Sequence, residues 1–399
     1  MLRGNLVVGQ SGGPTAVINC SLVGVVRQAM AQPEIEGIYG MLHGIRGLLD
    51  GEFIDLRQES EETLELLCQT PASALGTVRY KVKPADYDGI LDVFARYNVR
   101  YFFYIGGNDS MDTVYQVSEA ARARGYDLRA VGVPKTIDND LAMTDHCPGF
   151  GSAARFVASA IRNTGFDTEA MGDSGPIKLM EVMGRNAGWL TAAAALAREA
   201  AGDPPHLIYV PECPVSEEQI AADVQAMYDR YGYCVAAVSE GVRRENGTPY
   251  AEGSGKKDAF GHEVKEGVIE TVAEIIEKHT GMRARFDKPA YLQRSFAELQ
   301  SPVDRDEAHQ AGVEAVRAAV SGQSGVMVTL VRADSPTYAL EYQIASLANV
   351  ANAERMLPRE YMNEAGNDVT PAFLDYARPL IGGPLLTYAR LAKNLVPKR

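Results

Sequence analysis

Glycines, hydroxyls, carboxylates and a lysine gather at three places in the 399-residue sequence, each directly after an apolar run. The first is Gly9-Gln10-Ser11-Gly12-Gly13-Pro14-Thr15, behind Leu6-Val7-Val8. Consecutive glycines let backbone N–H groups converge on an anion, and a following helix N-terminus adds its dipole. Pro14 suits the opening turn of such a helix, where its missing N–H has no partner anyway. A tight strand-to-helix turn without a ligand accounts for the same residues. The second place is Gly106-Gly107-Asn108-Asp109-Ser110, after Tyr101-Phe102-Phe103-Tyr104-Ile105. An amide and a carboxylate there could hold Mg²⁺, which takes few protein ligands and fills its octahedron with water and phosphate oxygens. Asp109 or Ser110 could equally cap the next helix. The third place is Pro134-Lys135-Thr136-Ile137-Asp138-Asn139-Asp140. A carboxylate can take the proton of an attacking hydroxyl, and a lysine can neutralise charge on a transferring phosphoryl group. As a bare pattern it is also an Asx-rich loop. Three such turns on consecutive strands are harder to dismiss than any one of them.

The elements that must carry these turns alternate between short apolar runs and helical patterns. Strands are expected at Asn5–Gly9, Tyr101–Ile105, Leu128–Val133, Ile177–Met183, Leu207–Val210, Val235–Ser239 and Val326–Val331. Several are apolar throughout, as strands covered on both faces should be. Helices are expected at Val17–Ala31, Asp112–Arg124, Ser152–Asn163, Asn186–Ala200, Ser216–Tyr231, Lys265–Thr280 and Asp306–Val320. Such alternation predicts a parallel α/β fold with right-handed crossovers, whose ligands sit beyond the carboxyl ends of the strands. The polar, glycine-rich stretch Gly241–Glu266 reads as a surface excursion, and the tail after Val331 as a helical appendage with a helix at Ser346–Arg355.

Composition bounds the remaining choices. At ~150 residues per domain the length allows two or three domains. With 46% hydrophobic and 23% charged residues the chain can bury sizeable cores. No apolar run reaches the ~18 residues of a membrane span. The longest candidate, Ala187–Ala200, is broken by Thr191, Arg198 and Glu199, and the N-terminal run is too short for an export signal. Five cysteines without a Cys-x-x-Cys pair argue against structural zinc and a disulfide framework, and fit a reducing cytoplasm. A formal charge of −13 disfavours nucleic acid as a partner.

Taken together, Ser11-Gly12-Gly13, Gly106-Gly107-Asn108-Asp109-Ser110, Thr136-Ile137-Asp138-Asn139-Asp140, Met183-Gly184-Arg185 and Tyr291-Leu292-Gln293-Arg294 resemble the phosphofructokinase family in identity, order and spacing. The resemblance covers roughly residues 4–330. It implies two Rossmann-like parallel-sheet domains with the active site in the cleft between them: a donor-binding domain at 1–140, a fructose 6-phosphate-binding domain at 141–330, and a C-terminal extension at 331–399. It further implies Asp138 as the base for the sugar 1-hydroxyl, Thr136 beside it, and Asp140 as electrostatic support. Gly12, Gly13 and Gly107 fall at the donor phosphates and Asn108 at the metal. Met183 and Arg185 fall at the sugar and the transferring group, Glu240 at sugar hydroxyls, and Arg285, Tyr291 and Arg294 at the 6-phosphate. Ile137, Gly184, Leu292 and Gln293 belong to the same substrate-binding segments, and Arg79 matches a family arginine near the transferred phosphoryl. Mg²⁺ as cofactor and a homodimer, or a higher homo-oligomer, are implied as well. Each role has a plainer alternative: Glu240 as a strand-end cap, Arg285 or Arg294 as a surface ion-pair partner, Met183 as core.

Two positions bear on the donor. ATP users of the family usually have glycine where this chain has Asp109, and glycine where it has Lys135; both replacements match the pyrophosphate-dependent branch. An aspartate there fills and charges the space that a nucleotide α-phosphate needs. A lysine can stabilise the departing phosphate. The implied reaction is reversible transfer from pyrophosphate to fructose 6-phosphate, giving fructose 1,6-bisphosphate and phosphate. An ATP-dependent enzyme and a catalytically silent sugar-phosphate-binding subunit are the alternatives. The sequence departs from the family at Asn108, where aspartate is usual, and at Gly175-Pro176-Ile177, where many relatives carry a 6-phosphate arginine. Lys178 is a candidate replacement, unless alternation points it away.

Overall fold

The computed structural model describes residues 2–397 other than 79, 81, 251, 258–262, 352 and 393, with backbone only for 252–257 and 263–266. Arg79 therefore lies outside the described residues. Leu6, Val7 and Val8 are completely buried, and so are Phe102 and Phe103, because the strands that carry them are interior to a sheet covered on both faces. In chain order that sheet uses β1 (Gly4–Gln10), β2 (Ile35–Met41), β3 (Phe53–Asp55), β4 (Val99–Gly106) and β5 (Arg129–Pro134). A second sheet uses β6 (Ile177–Val182), β7 (Leu207–Tyr209), β8 (Cys234–Ser239) and, after the hairpin β9 (Glu252–Lys257) and β10 (Glu263–Glu266), β11 (Ala284–Asp287). The chain then returns to the first sheet with β12 (Val326–Arg332) and β13 (Leu340–Ser346). Among the described residues the orders are β13-β12-β5-β4-β1-β2-β3 and β11-β6-β8-β7. Pairing is parallel except at β2–β3, β12–β13 and the hairpin. The architecture is α/β, as the alternating pattern predicts.

The return of the chain corrects two expectations. The segment after 331 carries a strand, because β13 turns back antiparallel beside β12, which itself lies parallel to β5. The helix expected at Ser346–Arg355 is also missing: Ser346 ends β13 and only a short 3-10 turn, Leu347–Asn349, follows. Here the β-branched and aromatic positions of 340–346 win over a helical reading of what comes next. Helical structure in the tail is limited to Arg359–Tyr361, Pro371–Ala377 and Arg378–Ile381 among the described residues.

Two helices cross under the first sheet at close range. Ile18–Met30 packs on Pro302–Val320 where Gly24 meets the His309 carbonyl and Gly312 meets the Ser21 carbonyl. A Cβ at either glycine would collide with that backbone, so the contact requires both. The helix Pro302–Val320 is also pinned to the start of the helix over the second sheet by Asp304, which is buried. Its carboxylate accepts from the N–H of Gly149 at 2.8 Å and from the N–H and hydroxyl of Ser152 at 2.9 and 2.6 Å. Ser152 lies in the long helix Phe150–Met171, which covers the second sheet. No helix among the described residues is long and apolar enough to cross a membrane.

Candidate active site

The strand-end turns expected to carry chemistry converge. Ser11, Gly12, Gly13, Gly107, Asn108, Asp109, Ser110, Lys135, Thr136, Asp138, Asp140 and Arg185 line one cleft of about 420 Å³, together with Asn186 and Glu354. A second hollow of about 240 Å³ continues from it and is lined by Asp138, Asp140, Met183, Arg185, Asn186, Ala187, Glu240 and Glu354. The carboxyl ends of β1, β4 and β5 form one wall and the ends of β6 and β8 the other.

On the first wall Lys135 is buried, 4% exposed, and its Nζ donates to the Gly13 carbonyl at 2.8 Å. Its backbone N–H donates to Gly106 O at 3.0 Å, so one residue ties the turns after β1 and β4 to that after β5. Gly12 has φ +71°, a conformation that favours glycine, and its carbonyl accepts from Thr77 Oγ1 at 2.9 Å. The helix after β4 starts at Asn108, earlier than expected, placing Asp109 in its first turn, where a carboxylate is favoured. Asn108 Nδ2 donates to Asp140 Oδ2 at 2.8 Å. Its Oδ1 is buried and has no hydrogen-bond partner among the described residues.

The turn at 136–140 is held from several sides. Thr136 Oγ1 accepts from the Asp138 N–H at 3.1 Å, and Asn139 adopts a left-handed φ of 58°. Ile137 is buried in the core under the second sheet and serves as its anchor. Burial first, and then the neighbouring Glu240 charge, push the Asp138 carboxyl up to about 6, against the pull of Lys135 and Arg185. Burial and Asp138 itself raise Asp140 to about 7. Burial, reinforced by Arg294, lowers Lys135 to about 8. A carboxylate poised near 6 is ionised at neutral pH yet basic enough to accept a proton from a hydroxyl.

On the second wall the Gly184 N–H donates to Glu240 Oε1 at 3.2 Å, and Arg185 Nε lies 3.8 Å from that same oxygen. Gln293 spends its side chain internally: Oε1 accepts from the Met183 N–H at 3.0 Å and Nε2 donates to the Glu181 carbonyl at 3.4 Å. Arg294 stacks its guanidinium 4.3 Å from the centre of the Tyr291 ring and crosses the cleft mouth to sit against Gly13. Tyr291 and Leu292 are 61% and 53% exposed. Arg285 is exposed on β11, away from the cleft lining, and donates to the Ser174 carbonyl at 3.1 Å. Lys178 is paired with Asp287 at 2.9 Å.

Sequence reasoning missed Asn186 and Glu354. Asn186 is one residue beyond a motif already recognised. Glu354 sits in the tail without any motif and reaches the cleft only because the chain crosses back, so no local signal could have found it.

A glycine-lined anion cleft with a buried lysine and paired carboxylates, set between two parallel sheets, defines an α/β enzyme of the phosphoryl-transfer class. The chain belongs to the phosphofructokinase family, whose sequence model matches residues 5–319. It is 42% identical over 405 residues to a pyrophosphate–fructose 6-phosphate 1-phosphotransferase of Rhodospirillum rubrum, with 100% of this chain and 99% of that relative covered. It is 34% identical over 361 residues to a sulfofructose kinase of Alkalicoccus urumqiensis, covering 90% and 92% respectively. The crystal structure of a pyrophosphate-dependent phosphofructokinase from Nitrosospira multiformis matches with a TM-score of 0.88 at 36% identity, over 100% of this chain and 98% of that one.

Proposed function

We propose that the protein reversibly transfers a phosphoryl group from pyrophosphate to the 1-hydroxyl of fructose 6-phosphate, giving fructose 1,6-bisphosphate and phosphate. The observation that carries the donor choice is the buried Lys135, bonded to Gly13 O at 2.8 Å in a cleft that Asp109 also lines. The lysine meets the leaving phosphate, and the aspartate occupies and charges the space that a nucleotide would need. Gly12, Gly13 and Gly107 present backbone to the donor. Asp138 accepts the hydroxyl proton, Thr136 fixes its backbone, and Asp140 supports it. Arg185 neutralises the group in flight, joined in the family reading by Arg79. Glu240 and Met183 face the sugar, and Arg294 and Tyr291 provide for its 6-anion. Arg285, away from the cleft lining of its own chain, would join them across the interface of the homodimer. Ile137, Gly184, Leu292 and Gln293 shape the same segments.

Mg²⁺ is the cofactor of this reading. The partnerless, buried Oδ1 of Asn108 beside the cleft fits a hard cation that takes one protein oxygen and several from phosphate and water. Bound there, the ion would neutralise charge on the donor phosphates. The proposed division revises the expected 1–140, 141–330 and 331–399 to a donor unit of about 2–140 with the returning 302–346 and a sugar unit of about 141–301 with the tail, a reading that the two sheet orders support. A homodimer in the cytoplasm completes the proposal.

The test is the initial rate with pyrophosphate against ATP at equal Mg²⁺, using fructose 6-phosphate. Pyrophosphate alone should support turnover. ATP turnover by the unmodified chain would favour the ATP-dependent alternative, and no turnover with either would favour a silent binding subunit. Since one relative is named for sulfofructose, that sugar belongs in the same assay as a competing acceptor.

A further inference from the structure

Asp138 and Arg185 come from different sheets, so the distance between them depends on what joins the turn after β5 to the turn after β6. Two consecutive residues of the tail, beyond the stretch matched by the family, make that join. The Arg355 N–H donates to Asp140 O at 2.7 Å. Its guanidinium donates to Asn139 O through Nη2 at 2.9 Å and through Nε at 3.3 Å, and to Asp145 O through Nη1. The same guanidinium lies 4.3 Å from the centre of the Trp189 ring, and the Arg355 carbonyl accepts from Trp189 Nε1 at 3.0 Å. Trp189 opens the short helix that directly follows the Arg185–Asn186 turn. From the preceding residue, Glu354 Oε1 accepts from Asn186 Nδ2 at 2.9 Å. The residue between the two aspartates is the strained one: Asn139 has φ 58°, which a non-glycine residue keeps only where its surroundings fix it. Arg355 caps the carbonyl of that residue.

We propose that Glu354 and Arg355 are positioning residues for the transfer reaction, a clasp that sets the Asp138 turn against the Arg185 turn. They act through Asn139, Asp140, Asn186 and Trp189. A planar guanidinium can serve two carbonyls and an indole face together, which the single ammonium of lysine cannot. Glu354 contributes an acceptor oxygen to Asn186, and its charge helps raise the Asp138 and Asp140 carboxyls. The proposal rests on the phosphoryl-transfer reading above.

The test uses the full chain and steady-state kinetics with both substrates. Arg355→Lys should lower kcat roughly 10–100-fold, as expected for catalytic groups displaced by about an ångström. KM for both substrates should stay within about twofold, because donor and sugar contacts are made elsewhere. Its melting temperature should remain close to the parent's. Arg355→Ala should recover rate on addition of methylguanidine, which a general loss of fold would not allow. Glu354→Ala should lose more kcat than Glu354→Gln, which keeps an acceptor for Asn186 but removes a charge that helps raise Asp138 and Asp140. Parent-like kcat in Arg355→Lys, or a loss that merely tracks the folded fraction, would overturn the clasp. If Arg355→Ala fails to fold, the lysine variant decides the matter alone. Absence of turnover in the parent overturns the reading beneath it; an active parent with an unaffected Arg355→Lys overturns the clasp only.

Discussion

On the donor wall three of the side chains at the cleft are fixed by short bonds to the turns around them: Lys135 to Gly13 O at 2.8 Å, Asn108 to Asp140 at 2.8 Å, Thr136 to the Asp138 N–H at 3.1 Å. On the sugar wall the equivalent order stops at Gln293. Beyond it Tyr291 and Leu292 stand more than half exposed, and the exposed Arg285 donates to the Ser174 carbonyl. The donor wall is therefore pre-organised in a single chain, whereas the outer sugar wall still has surface to bury against substrate or a second copy. Pre-organised groups act on the transition state, and groups that become ordered on binding act on affinity. Substitutions on the donor wall should accordingly fall on kcat, and those on the sugar wall on KM.

The largest effect belongs to Asp138. Asp138→Asn keeps shape and the hydrogen bond from its own N–H to Thr136 but cannot accept a proton, so turnover should fall by ~10²–10⁴. Binding of both substrates should change little. A variant with most of the parent's rate would assign the base to another group.

Next come Asp109 and Lys135, the pair to which the proposed function gives the choice of donor. Asp109→Gly should lower the pyrophosphate rate and open room, and Lys135→Gly should lower it further without admitting ATP, because the aspartate remains. Measurable ATP-dependent transfer should need both changes, so the two positions should be non-additive. Initial rates with each donor for the parent, the singles and the double test this. Additive behaviour would mean that the two residues do not gate the same space.

Arg294 tests where one wall ends. The family reading gives it to the 6-phosphate, yet its guanidinium lies against Gly13 and contributes to lowering Lys135. Arg294→Ala should raise KM for fructose 6-phosphate most and KM for pyrophosphate to a smaller extent. An equal rise in both would move the residue to the donor wall.

How much of this was readable in advance follows from the same contrast. The donor turns were legible because each is a glycine-rich stop on a continuous apolar strand, and local chemistry sets local shape. Ile35–Met41 escaped notice since Glu36 and two glycines interrupt it; pairing with β1, not propensity, makes it a strand. Leu340–Ser346 is an edge strand with much of its surface exposed, which gives it no apolar run to read. The expected helix Asn186–Ala200 shrinks to Trp189–Ala192 and the 3-10 segment Ala193–Ala197, its alanines buried in the core shared with Phe150–Met171. Glu354 and Arg355 were illegible for a different reason: their partners in the Asp138 and Arg185 turns lie more than 150 residues away, and only the completed fold brings them together.

The smallest effect concerns the network behind the donor wall, and it is visible only across a pH range. His146 is buried, with Nδ1 2.8 Å from Asp145 and Nε2 2.7 Å from Glu307. Tyr338 donates to Glu307 at 2.6 Å, and Arg332 to Asp145 at 3.1 Å. Burial by itself would lower the imidazole, but the two carboxylates override it and raise it to about 9 from 6.5. A group raised on folding binds its proton more tightly in the native state. Its stabilisation is complete below the unfolded value of 6.5 and disappears as pH rises through about 9. Lys135, lowered to about 8, shifts stability the opposite way. That contribution is common to the parent and to His146→Gln, so it cancels in their difference. The gap in melting temperature between the two should be widest below pH 6.5 and should narrow steadily toward pH 9. A gap that stays constant over that range would mean that His146 is held neutral and that the wall is braced by packing alone. Because no hydrogen bond of this network reaches Tyr291 or Leu292 among the described residues, KM for the sugar should not follow the same curve.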